Sequence, residues 1–131
     1  MTRRLVLLAS LAGAAACARH AKIGPDPVRE GRGTYLRACA PCHGKNAGGH
    51  GRDARTAPDL THLASRAGGT FPHDYVVDVV TGKHDVPGHA REMPVWRERF
   101  GPGNSPAEAA AAVYRRQQLE YLTSYLASIQ R

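Results

Sequence analysis

The chain is poor in the residues that usually staple a small protein. Its 131 residues include three cysteines, two methionines, one tryptophan and two phenylalanines, and aromatic residues make up only 6%. Three cysteines exclude a disulfide-dense scaffold. A closed structural zinc site is excluded as well, because it needs about four ligands, usually as a second Cys/His pair. Beyond Cys39 and Cys42 the only cysteine is Cys17. The longest apolar stretch, Leu5 to Ala16, has 12 residues, short of the roughly 20 a spanning helix requires. No basic run is interleaved with aromatic residues, so nucleic acid is not an expected partner. There is no internal repeat and no room for a second domain.

What is present begins with a leader. Arg3 and Arg4 precede the apolar stretch, and the small residues Ala14-Ala15-Ala16 lead into Cys17. This is the pattern of an export signal over residues 1–16. Two readings of Cys17 stand. Small residues before a cysteine resemble a bacterial lipoprotein cleavage site, with Cys17 as the lipidated N-terminus, although Ala14 departs from the large residue such sites prefer. Ordinary cleavage after Ala16 or Ala18 is the alternative. Lipidation accounts for an exported cysteine that otherwise needs its own explanation. Residues 17–25 then read as a tether; its last eight residues, 18–25, would reach about 26 Å when extended. Loss of Arg3 and Arg4 leaves 16 basic against 11 acidic residues, a mildly basic balance that suits an acidic protein partner.

The most specific feature is Cys39-Ala40-Pro41-Cys42-His43. A C-x-x-C-H run is the covalent attachment signature of c-type haem: two thiols add across the porphyrin vinyl groups, and the adjacent imidazole reaches the iron. A thioredoxin-type C-x-x-C expects a strand–helix–strand context, and no such alternation exists here. A plain disulfide would leave His43 unexplained.

Around this motif the chain reads as helices and loops. Asp26 is the expected N-cap of a helix with Pro27 in its first turn, and Val28, Gly31, Tyr35 and Ala38 recur on one face. Residues 44–58 read as loop, broken by Gly44, Gly48, Gly49 and Gly51. Asp59 to Arg66 suits a short helix stopped at Gly68-Gly69. Tyr75 to Thr81 is ambiguous: its four valines favour a strand, whereas Pro72 and Gly82 suit a two-turn helix. Ser105-Pro106-Ala107-Glu108 is a capping box, opening a helix to about Ile129 with Leu122, Tyr125, Leu126 and Ile129 on its core stripe.

With His43 on one side of the iron, the sixth position decides the chemistry. An open position allows ligand binding or catalysis; a filled one restricts the haem to outer-sphere electron transfer. Past the leader, Met93 is the only methionine, in Met93-Pro94-Val95-Trp96, 50 residues after His43. It is the expected ligand. His50, His62, His73, His84 and His89 are rivals, with His89 the main one and most of the others expected on the surface.

Residues 27–131 resemble a class I monohaem cytochrome c. The resemblance is carried by Gly31, Tyr35, Cys39-Ala40-Pro41-Cys42-His43-Gly44, Ala57-Pro58-Asp59-Leu60, Met93-Pro94-Val95-Trp96 and Tyr125-Leu126. It implies an all-α domain over residues 26–131 in which the N- and C-terminal helices cross around one covalent haem c. Gly31 would then permit a close approach, with Tyr35 and Tyr125 packing nearby. It also implies that the Pro58 carbonyl accepts Nδ1–H of His43, and it selects helix for Tyr75 to Thr81. For Trp96 it leaves two roles open, a propionate contact or core packing.

The expected function is single-electron transfer in the periplasm, without catalysis of its own. Cys39 and Cys42 hold the haem, and His43 and Met93 ligate the iron. Partners would be a dehydrogenase or quinol-oxidising donor and an oxidase or reductase acceptor. Arg91, Arg97 and Arg99 offer a basic docking rim, although Glu92 and Glu98 interleave with them. Two alternatives remain: a cytochrome subunit docked on a larger oxidoreductase, and a haem enzyme or gas sensor with an open sixth site.

Overall fold

A carboxylate followed by proline starts the first helix. Asp26 Oδ1 accepts from the backbone N–H groups of Val28 at 3.0 Å and Arg29 at 3.5 Å, while Pro27 occupies a position where no donor is required. This helix, α1, spans Pro27–Ala38. The structure, a computed structural model, describes residues 24–53, 57–84, 86 and 106–131, with the backbone alone for 106–108.

Helix α2 (Ala40–His43) follows α1 directly, with Cys39 as the shared cap. After a loop come a 3-10 turn (Leu60–His62), α3 (Leu63–Arg66), α4 (His73–Thr81) and the long α5 (Pro106–Ser128). Among the described residues there is no strand, and the fold is all-α as expected. The valine-rich segment is helical: α4 begins two residues ahead of the expected Tyr75 and stops at Gly82, which is left-handed with φ 73°. Val76 is buried, and Val77 and Val80 pack half-buried against the same core. Burial of one valine face against other helices overrides the strand propensity.

Helices α1 and α5 cross in antiparallel sense. A Cβ at Gly31 would run into the carbonyl oxygen of Tyr121 and stand 2.9 Å from Tyr125 Cβ, so only glycine lets the two backbones come this close. One turn further along α1, Thr34 Oγ1 donates to Gln118 Oε1 at 3.1 Å. The Tyr35 ring packs on Tyr125, centroids 5.2 Å apart and tilted by 47°. The core is completed by Leu119, Leu122 and Leu126 of α5 with Ala40, Ala47 and Val76. Val28, expected on the buried face, is 39% exposed.

The end of α5 is fastened to the middle of the chain. Gln130 Nε2 donates to the Leu60 carbonyl at 2.9 Å and to Leu126 at 2.7 Å, while its Oε1 accepts from Ala64 N–H at 2.9 Å. Arg131 N–H donates to the Thr61 carbonyl at 2.9 Å. One amide thereby satisfies a carbonyl of the 3-10 turn and an N–H at the start of α3, groups that short helices leave without internal partners. No described helix is long and apolar enough to cross a membrane. The positions of Cys17, His89, Met93, Trp96, the Arg91/Arg97/Arg99 rim and Ser105 of the capping box lie outside the described residues.

Candidate haem-attachment site

The site is a single helical turn. Cys39 N–H continues α1 by donating to the Tyr35 carbonyl at 2.8 Å, and the Cys39 carbonyl accepts from Cys42 N–H at 3.1 Å and His43 N–H at 2.8 Å. Cys42 and His43 are therefore three and four residues beyond Cys39 on a closed turn, the spacing that places side chains on a common face. Pro41 sits in the first turn, where its missing donor costs nothing. Gly44 ends the turn with φ 79°.

The loop after the turn is built to fold back on it. Gly49 N–H donates to the His43 carbonyl at 2.9 Å, Gly51 N–H to Cys42 at 2.9 Å, and Asp53 N–H to Pro41 at 2.8 Å. These bonds satisfy the C-terminal carbonyls that a one-turn helix exposes. At Gly51 a Cβ would overlap the Cys42 carbonyl group, so the backbone reaches this position only as glycine. The sequence showed these glycines as loop breakers. Their part in bracing the turn becomes legible only when the chain is folded back.

His43 is buried, and its Nδ1 lies 3.0 Å from the Pro58 carbonyl oxygen. A carbonyl only accepts, so Nδ1 carries the proton. Burial lowers the His43 pKa, against the opposing pull of the Pro58 hydrogen bond, so the ring is neutral. In that tautomer Nε2 presents the lone pair a metal ion needs. Asp59 fixes the segment bearing Pro58: its Oδ1 accepts from Thr61 N–H at 2.7 Å and Thr61 Oγ1 at 2.6 Å, bonds that hold its carboxyl below the usual range.

Cys39 and Cys42 are free thiols. Burial, with Cys42 adding to it, pushes the Cys39 thiol up to about 12. A dithiol that works by exchange shows the opposite shift, toward a reactive thiolate. The Cys39 shift thus runs opposite to that of an exchange thiolate.

The described rival histidines do not join His43 in the core; His50 lies in the loop that braces the turn, between Gly49 and Gly51. His50, His62 and His84 are exposed. His73, expected on the surface in a loop, instead opens α4, with Nδ1 3.0 Å from Asp74 Oδ1 and Nε2 3.2 Å from Glu120 Oε2. Among the described residues no three His, Cys, Asp or Glu side chains form a metal-binding group.

These residues fit a covalently attached haem. Two unpaired thiols and an oriented neutral imidazole share one turn, and Cys39 itself borders an apolar cluster with half-buried Leu36, Ala38, Leu60, Leu63 and Phe71. Such surface suits the face of a porphyrin. No curated protein and no solved structure matches the chain. A family model does: that of subunit III of cbb3-type cytochrome c oxidase, over residues 26–115. The chain belongs to this family and is a monohaem c-type cytochrome with covalently bound haem.

Proposed function

We propose that the chain is an exported electron carrier in which Cys39 and Cys42 hold the haem and His43 and Met93 are its axial ligands. The observation that carries the reading is the Nδ1–H bond of a buried, neutral His43 to the Pro58 carbonyl. It fixes the ring's tautomer and orientation and raises its donor strength. Bound haem supplies a one-electron ferric/ferrous couple, and thioether ligation favours the ferrous form and raises the potential. The protein's own part is to keep the imidazole from rotating and to exclude water through the core of α1 and α5. Both actions limit the rearrangement that accompanies electron transfer.

Residues 1–16 serve as the export signal in this reading, and residues 17–25 tether the domain of residues 26–131 to the periplasmic face of a membrane through a lipidated Cys17. Mass spectrometry of the membrane fraction tests the anchor: a diacylglycerol adduct on Cys17 supports it and an unmodified soluble N-terminus removes it. For ligation, the ferric protein should show the sulfur-to-iron charge-transfer band and the ferrous protein should not bind carbon monoxide at neutral pH. Met93→Ala should abolish the band and lower the potential. An unchanged band would exclude Met93.

Membership of a family named for an oxidase subunit favours one variation, permanent docking on a larger oxidoreductase. Co-purification with a large subunit under mild detergent would favour that assembly, and a monomeric haem protein in the same extract would favour the free carrier.

A further inference from the structure

The Pro58 carbonyl beside His43 Nδ1 belongs to the peptide plane that joins Pro58 to Asp59. That plane turns through Pro58 ψ and Asp59 φ, because the proline ring locks Pro58 φ at about −65°. Asp59 is held in turn. Its backbone is extended, with φ −67° and ψ 118°, and its Oδ1 accepts from the Thr61 N–H at 2.7 Å and the Thr61 hydroxyl at 2.6 Å. A carboxylate bonded two residues ahead closes a turn over its own backbone, which ties the Asp59 dihedrals to the 3-10 turn that follows. Thr61 is 2% exposed, so the same carboxylate satisfies a buried hydroxyl.

The neighbouring peptides are anchored as well. Leu60 N–H donates to the Ala47 carbonyl at 2.8 Å, and Arg66 Nη2 donates to the Asp59 carbonyl at 2.6 Å. Gly49 links this segment to the attachment turn. Its N–H donates to the His43 carbonyl at 2.9 Å, and a Cβ on it would stand 3.1 Å from both the Pro58 carbonyl carbon and Asp59 N. One glycine therefore touches the backbone of the histidine and the peptide of its acceptor. The Pro58 plane is thus packed against Gly49 and held by Asp59, and of these two only Asp59 acts through a side chain.

We propose that Asp59 is a positioning residue that, through its bonds to Thr61, keeps the Pro58 carbonyl on His43 Nδ1 and so sets the haem potential. The role rests on the reading of His43 as an iron ligand and is independent of the residue at the sixth position. A hydrogen bond from Nδ1–H makes the imidazole a stronger donor, and a stronger donor favours ferric iron. A carbonyl free to turn away weakens the donor and raises the potential. Asp59 therefore holds the potential down from two residues beyond the ligand's nearest contact.

The test compares purified holoproteins: wild type, Asp59→Ala, Asp59→Asn and Thr61→Val. Asp59→Ala should shift the ferric/ferrous equilibrium toward ferrous by about threefold, which is about 28 mV where tenfold is about 59 mV for one electron. Exchange of the His43 Nδ1 proton, followed by NMR of the ferrous protein, should quicken by about tenfold, the worth of one charge-assisted hydrogen bond. Thr61→Val keeps the charge and loses one of the two bonds, so it should move both readouts the same way by less. Asp59→Asn keeps an oxygen acceptor, so its exchange rate should stay close to wild type even if the lost charge raises its potential. A purely electrostatic carboxylate gives another pattern: Asn and Ala equal in potential, Thr61→Val equal to wild type, and exchange unchanged in all. That pattern, or an Asp59→Ala protein with unchanged potential and exchange, would overturn the proposal. If Asp59→Ala fails to mature, Thr61→Val decides by the same two readouts: movement of both supports the latch and no movement removes it. The hyperfine-shifted His43 ring resonances of ferric wild type report separately on ligation. Their absence would overturn the axial assignment and this inference with it, whereas their presence beside unresponsive variants would overturn this inference alone.

Discussion

Tyr35 Oη donates a 2.6 Å hydrogen bond to the carbonyl oxygen of Gly44, the residue that follows His43. The tyrosine is fully buried, and burial pushes its phenol pKa upward, so the hydroxyl remains a donor at any working pH. One side chain therefore joins three parts of the fold: α1 that bears it, α5 that it stacks on, and the end of the haem-attachment turn.

Tyr35→Phe should keep the ring packing and lose only that bond, at a cost of about 0.5–1.5 kcal/mol, because the Gly44 carbonyl still accepts from Ala47 N–H at 3.1 Å. Denaturant titration of the ferric holoprotein should show a lower midpoint with an unchanged slope. Tyr35→Ala, which also opens a cavity against Tyr125, should cost about 3–5 kcal/mol.

Gly31 and Gly33 sit on the same helix and should answer alanine in opposite directions. At Gly31 the added methyl meets the Tyr121 backbone, which cannot swing aside, so Gly31→Ala should destabilise by about 3 kcal/mol or more as the helices part. At Gly33 the nearest atom is the mobile end of Arg37 at 3.3 Å. Gly33→Ala should therefore gain about 0.5–1 kcal/mol from helix propensity. Thermal denaturation of both holoproteins checks the sign of each change.

This contrast marks where the sequence was legible and where it was not. The C-x-x-C-H run, the Asp26-Pro27 helix start and the Leu122–Leu126 stripe are local patterns, and local chemistry determines them. The resemblance to cytochromes c located the Gly31 crossing and the acceptor for His43, and the structure places a carbonyl 3.0 Å from His43 Nδ1. What stayed hidden depends on residues far apart in the chain. Gly51 looks like any loop glycine until its N–H is found on Cys42, and Gln130 looks like an exposed end until it bonds Leu60 and Ala64. Val28 obeyed the helical period and is nonetheless 39% exposed.

Gln130 supplies a sharp test because it donates and accepts at once. Gln130→Ala should cost about 1–3 kcal/mol from the partners left unmatched. Gln130→Glu, close to isosteric, should be at least as harmful at neutral pH, since its carboxylate would face the Leu60 and Leu126 carbonyls that now accept from the amide. The segment carrying Pro58 leads into Leu60, so both variants should also speed exchange of the His43 Nδ1 proton, measurable by NMR of the ferrous protein.

His73 links α4 to α5 in a pH-dependent way. A neutral imidazole donates from one nitrogen only, whereas both nitrogens here lie against carboxylates, Asp74 on one side and Glu120 on the other. Both bonds are made in full only by the imidazolium, and the hydrogen bond to Asp74, helped by Glu120, raises the His73 pKa above 6.5. A raised folded-state pKa contributes stability that is complete below the unfolded value of 6.5 and is lost as pH climbs through the folded one. His73 and Glu120 are 44% and 51% exposed, so the contribution is screened and should stay within about 0.2–1 kcal/mol. Wild type should therefore exceed Glu120→Gln in melting temperature at about pH 5.5, and the difference should shrink toward the alkaline end of the histidine range. Raising the salt at low pH should shrink it as well. A constant difference across pH would assign Glu120 a packing role and leave His73 without influence on the joint.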